Sequence, residues 1–101
     1  MAINLVCYTT IGPSTLQNKV NEFVSKYSNL FPGEYIVYPV REPDEIQKEI
    51  SNENNLDPLS IFRIAMNNKE SKISITDMAN LLKKELGASN IIVLFEGEIL
   101  I

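Results

Sequence analysis

Two stretches of this sequence hold residues whose types and spacing could do chemistry. The first is residues 9–15, Thr-Thr-Ile-Gly-Pro-Ser-Thr, set between a short apolar run and an amphipathic one. In open α/β sheets, small ligands collect beyond the carboxyl ends of strands, where a helix start offers free N–H groups. Thr9, Thr10, Gly12, Ser14 and Thr15, joined by Arg41 from the end of a second strand, would there cradle a small anion or the phosphate of a nucleotide. Neither G-x-x-x-x-G-K-[ST] nor G-x-G-x-x-G is present. Hydroxyls that cap the helix, and a Gly12-Pro13 turn, are the simpler account of the stretch.

The second is a set of carboxylates, Glu42, Asp44, Glu45, Glu49 and Glu53. Paired carboxyls can serve as general acid and base, but that requires two groups held across a cleft, which a surface helix does not supply. A calcium loop starting at Asn52 needs glycine at its sixth position and glutamate at its twelfth; Asp57 and Arg63 stand there. Solvation, or contact with a protein partner, is what remains for these acids.

Absent residue types narrow the field further. There is no histidine, so Ser-His-Asp and Cys-His catalysis and histidine metal sites are excluded. The single cysteine, Cys7, leaves no thiolate cluster and no Cys-x-x-Cys pair, and it reads as a small core residue. Residues 74–89 look like the first half of a helix-turn-helix, but the recognition helix is missing: Asn90 leads into Ile91-Ile92-Val93-Leu94-Phe95, a strong strand pattern. No catalytic residue, cofactor or metal is implied.

The elements that must position these groups follow from periodicity. Residues 3–8 form a buried strand, and Leu16, Val20, Phe23, Val24 and Tyr27 fall on one face of a helix capped by Ser14 or Thr15. Tyr35-Ile36-Val37-Tyr38 is a second strand, and a strand–helix–strand order at this spacing predicts two parallel neighbours. Pro43-Asp44-Glu45 opens a short surface helix, and residues 51–55 form a loop. Asp57-Pro58 starts a further helix with Leu59, Phe62, Ala65 and Met66 along one side. Ser74-Ile75-Thr76-Asp77 is a capping box for the last helix, closed by Gly87. Two strands about Glu96-Gly97 make a terminal hairpin.

The expected fold is therefore a single α/β domain over residues 1–101. It has a small mixed four-stranded sheet, an N-terminal parallel βαβ unit, four helices and a C-terminal hairpin. In architecture alone this order resembles part of a thioredoxin-type fold. Thr9-Thr10-Ile11-Gly12 stands where that family carries its redox cysteines, so the resemblance implies topology without redox chemistry.

Composition sets the function class. The 101 residues carry a net charge of −4, unsuited to binding a nucleic-acid backbone, and no apolar run approaches the ~20 residues needed to span a membrane. With no signal-peptide pattern at the start and no disulfide, a cytoplasmic location is expected. Residues 41–60 set Arg41 and Lys48 against Glu42, Asp44, Glu45, Glu49, Glu53 and Asp57, a local charge of −4. A small acidic chain without catalytic residue types fits a protein that acts by occupying a partner's basic surface: an immunity protein, an antitoxin or a phage-type inhibitor. The alternatives are the anion site, or a subunit that joins a larger assembly through its terminal strand or through Tyr35 and Tyr38.

Overall fold

The computed structural model describes residues 3–31, 33–67 and 73–101. In chain order the elements are β1 (Ile3–Thr9), α1 (Pro13–Lys26), β2 (Tyr35–Val37), α2 (Glu45–Glu53), β3 (Ser60–Met66), α3 (Ile75–Leu86), β4 (Ile91–Phe95) and β5 (Ile99–Leu100).

The five strands form one sheet in the order β2-β3-β1-β4-β5, and every neighbouring pair is antiparallel. The expected parallel pair is not formed. β3 lies between β1 and β2 and pairs antiparallel with each, with Leu5 opposite Ile64 and Val37 opposite the same residue. β1 and β2 therefore run in the same direction, as a strand–helix–strand crossover requires, but one strand apart. The inserted strand is the segment expected to be a helix after Pro58, so the described residues hold five strands and three helices rather than four and four. Its residues are buried at Ser60, Ile61, Phe62, Ile64 and Ala65 and exposed only at Arg63 and partly at Met66. A strand buried on both faces loses its alternation, and its apolar residues then match helical spacing by accident.

Two layers of side chains pack against the sheet. On the first face Leu5, Cys7, Phe62, Ile64, Ile91 and Val93 meet Leu16, Val20 and Phe23 of α1 and Met78, Ala79, Leu82 and Leu86 of α3. Tyr35 closes one side of this core, with its hydroxyl donating to the Ile73 carbonyl at 2.9 Å. On the second face the cluster is smaller: Tyr8, Ile61 and Leu94 with Leu56, bordered by Val6, Ile50 and Ile92. Among the described residues, the cover on that face comes from α2 and the turn after it, through Ile50 and Leu56.

The helix ends follow local chemistry, with one exception. Ser74 caps α3: its hydroxyl accepts from the Asp77 N–H at 3.1 Å, and the Asp77 carboxylate accepts from the Ser74 N–H at 3.3 Å. Gly87 ends that helix at φ +93°, a conformation that favours glycine. The exception is α1, which starts one residue before Ser14. Gly12 is its cap, Pro13 its first residue, and no side chain bonds the first turn. α2 also runs on through Glu53, past Ser51, where a loop was expected. The terminal hairpin is as expected, turning through Glu96 at φ +55° and Gly97 at φ +75°.

Candidate functional site

The exposed chemistry gathers on and around α2. Asp44 caps this helix: its carboxylate accepts from the Gln47 N–H at 2.8 Å, and Gln47 Oε1 accepts in return from the Asp44 N–H at 3.0 Å. The same Gln47 oxygen accepts from the Arg41 guanidinium at 3.2 Å, so the cap also fixes a cation beside it. Gln47, Ile50 and Ser51 turn toward the sheet, and Ser51 donates to the Leu56 carbonyl at 2.7 Å. Glu45, Glu49 and Glu53 stand four residues apart on the opposite side, and all three are exposed. At that spacing consecutive carboxylates lie about 6 Å apart along the helix axis. None of the three is hydrogen-bonded or ion-paired among the described residues, where Lys26–Glu85 is the one salt bridge. The five acids thus divide: Glu45, Glu49 and Glu53 form a ridge, Asp44 is occupied as a cap, and Glu42 lies in the approach to the helix.

Beside α2 the second face of the sheet is open. A groove of about 570 Å³ is lined by Val6, Ile61, Phe62 and Arg63 from the sheet, residues 38–41 on one side and Gln47 on the other. Tyr38 stacks beneath Arg63, whose guanidinium carbon lies 4.1 Å from the ring centroid. The backbone of Arg41 exchanges both hydrogen bonds with Ile61, at 3.0 and 2.9 Å, which fixes the groove's wall to β3. Burial holds the Tyr8 phenol above its ordinary range; the charge of Asp44 adds to this and that of Arg41 opposes it. The groove is floored by β3, whose sequence has helical spacing and so gives no periodic sign of a sheet face there. Its signal was Arg63, the single exposed position in Ser60-Ile61-Phe62-Arg63-Ile64-Ala65.

Residues 9–15 do not gather as an anion cradle with Arg41. Thr9 is fully buried, and its hydroxyl bonds that of Ser60 at 2.7 Å and lies 3.2 Å from the Ile11 carbonyl. Thr10 donates from its N–H to the Asn90 carbonyl at 2.9 Å and from its hydroxyl to the Asn90 side chain at 3.3 Å. Ser14 and Thr15 are exposed on the first turn of α1. Gly12 and Pro13 line a shallow depression with Glu42, Pro43, Lys48, Pro58 and Leu59, whereas Arg41 lines the groove. Among the described residues no group of Cys, Asp and Glu side chains converges to hold a metal ion. Burial pushes the Cys7 thiol far above its usual range, so it is neutral and out of reach. Of the tyrosines considered as contact residues, Tyr35 is buried and Tyr38 carries Arg63.

Comparison with known proteins decides the class. A family model described as "CDI System Immunity Component" matches residues 1–99. The chain belongs to this family. It is 33% identical over 98 residues to "Immunity protein CdiI-2" of Burkholderia pseudomallei (strain 1026b), covering 97% of each chain. Its fold superposes with a TM-score of 0.90 and 30% identity on a chain of the "CdiA-CT/CdiI toxin and immunity complex from Burkholderia pseudomallei", covering 97% of this chain and 95% of that one. The protein is thus a bacterial immunity protein, the first of the classes expected from its size, charge and missing catalytic residue types. As a CDI immunity component it works with a protein partner, and no helix among the described residues is long and apolar enough to cross a membrane.

Proposed function

We propose that this immunity protein neutralises a CdiA-CT toxin in the cytoplasm by covering its surface, with no chemistry of its own. One observation carries the reading: 97% of the chain matches, at a TM-score of 0.90, a protein solved within a toxin and immunity complex. The Glu45, Glu49 and Glu53 ridge faces a basic region of the toxin, flanked by Glu42, with Asp44 holding the helix start in place. Three unpaired carboxylates along one exposed side of a nine-residue helix are a localised negative field, suited to steering a cationic partner. The lone, buried Cys7 accords with a reducing compartment.

The test is binding to the CdiA-CT domain encoded by the same bacterium, followed by surface plasmon resonance, with co-expression as a measure of protection. A stoichiometric complex that relieves toxicity is expected. Reversing Glu45, Glu49 and Glu53 to Lys lowers the association rate at least ~10-fold. A wild-type chain that forms no complex with that domain ends the reading. A reversed ridge that associates as fast as wild type removes the ridge from it.

A further inference from the structure

We propose that the groove between α2 and residues 38–41 is a socket for a carboxylate side chain of the toxin, held by Arg41 and Arg63. The inference rests on the toxin-binding reading and adds to it which part of the face grips rather than steers.

The argument begins with what the groove's cations are doing. Arg41 and Arg63 line the same cavity of about 570 Å³. Each is fixed by a neutral group: Arg41 donates to the Gln47 amide oxygen, and Arg63 lies over the Tyr38 ring. Neither is ion-paired among the described residues, although Glu42, Asp44 and Glu45 are near in sequence. Two guanidiniums held in place without being neutralised keep their charge for a ligand. Their planar forks match a carboxylate in bidentate geometry, and pre-fixing removes much of the entropy of closing on it.

The rest of the lining selects a side chain over a free anion. Val6, Ile61 and Pro39 give the cavity a largely apolar lining, so an occupant must bring its own apolar stem. An Asp or Glu on a protruding toxin loop does this, its methylenes against the floor and its carboxylate between the two forks. The charge pattern on α2 points to the same partner. Beside a ridge that repels acids, a carboxylate enters only where Arg41 and Arg63 compensate, so the two signs side by side read a basic surface carrying one acidic projection.

Groove and ridge separate kinetically. A rim charge alters the association rate, whereas a desolvated ion pair governs dissociation. Arg41→Gln and Arg63→Gln are each measured by surface plasmon resonance against the same CdiA-CT domain, with thermal melting as a control for folding. We expect each variant to melt within a few degrees of wild type and its dissociation rate to rise ~30-fold or more, with association nearly unchanged. Arg63→Lys, which keeps the charge over Tyr38 but loses the fork, should also dissociate faster than wild type. Dissociation rates that stay within ~10-fold in both Gln variants, or a loss confined to association, overturn the socket while leaving toxin binding intact. A wild-type chain that does not bind overturns the parent reading instead.

Discussion

Thr9 shows how one residue changes meaning between sequence and structure. In sequence it belongs to a hydroxyl-rich loop at a strand end; in the fold its side chain is buried and shares its bonds with Ser60 and the two backbone groups of Ile11. Ser60 donates to the Ile11 carbonyl and Thr9 in turn donates to Ser60, so the two hydroxyls knit the β1–α1 turn to the start of β3. Removing either leaves a buried polar neighbour short of a partner, at about 1–3 kcal/mol. Thr9→Val should lose more than Ser60→Ala, because only Thr9 also accepts from the Ile11 N–H, at 3.3 Å. The double variant should lose less than the sum of the two, since both act in one cluster. Urea denaturation of the three variants measures this, and additive losses would mean that the hydroxyls act separately. Nothing local distinguishes such a buried threonine from a ligand-facing one; the partner is 51 residues away.

At the scale of elements, legibility tracked how much of the signal was local. The capping box at Ser74, the Gly87 stop and the Glu96-Gly97 hairpin are written in neighbouring residues, and all are present. β3 was not legible because burial on both faces removed the alternation, and Asp57-Pro58 imitates a helix start. That misreading also hid the true neighbours of β1 and the groove floored by β3. The acidic residues of α2 were visible, but their division into cap and ridge depends on where the helix starts. Two variants test the local signals. Gly87→Ala forces a side chain into φ +93° and sets its Cβ 2.7 Å from the Asn90 amide, which is itself pinned to the Leu86 carbonyl and to Thr10. Gly97→Ala at φ +75° meets only ordinary contact with Val6 at 3.5 Å. Backbone strain of about 1–2 kcal/mol applies to both, and the Asn90 clash makes Gly87→Ala the larger loss in chemical denaturation. The two helices of the first face are tied by Lys26 and Glu85 at 2.7 Å, with the Tyr27 hydroxyl donating to the same carboxylate at 3.2 Å. The hydrogen bond from Lys26 holds the Glu85 carboxyl below its usual range, and the bond to Glu85 raises Lys26. The carboxylate's contribution is therefore present above the ordinary Glu range and is lost as pH falls through the lowered value. That of the ammonium is complete below the ordinary Lys range and is lost as pH rises through the raised one. Glu85→Gln should lower the melting temperature near neutral pH, and its difference from wild type should shrink as pH falls through the lowered Glu85 range.

Across the whole molecule, charge is divided by the sheet. The helices of the first face carry Lys19, Lys26, Lys83 and Lys84 against Glu22, Asp77 and Glu85, a net of +1. α2 and its approach on the second face carry Arg41 and Lys48 against Glu42, Asp44, Glu45, Glu49 and Glu53, a net of −3, with Arg63 of β3 beside them. A chain of net −4 thus presents its negative pole where the open face and the groove also lie. On the proposed reading, a basic toxin surface approaching from solution would be turned toward that face before any contact forms. Steering of this kind acts over roughly a Debye length, about 10 Å at 0.1 M salt and 3 Å at 1 M. The association rate of wild type with the CdiA-CT domain should therefore fall steadily as salt rises from about 0.05 to 0.5 M, while dissociation changes little. Replacing Glu45, Glu49 and Glu53 by Gln should bring the low-salt rate down toward the high-salt one and flatten the dependence. Stopped-flow measurement across the salt series decides it: a wild-type rate indifferent to salt would mean that the second face is selected by shape alone, and that the division of charge across the sheet serves solubility.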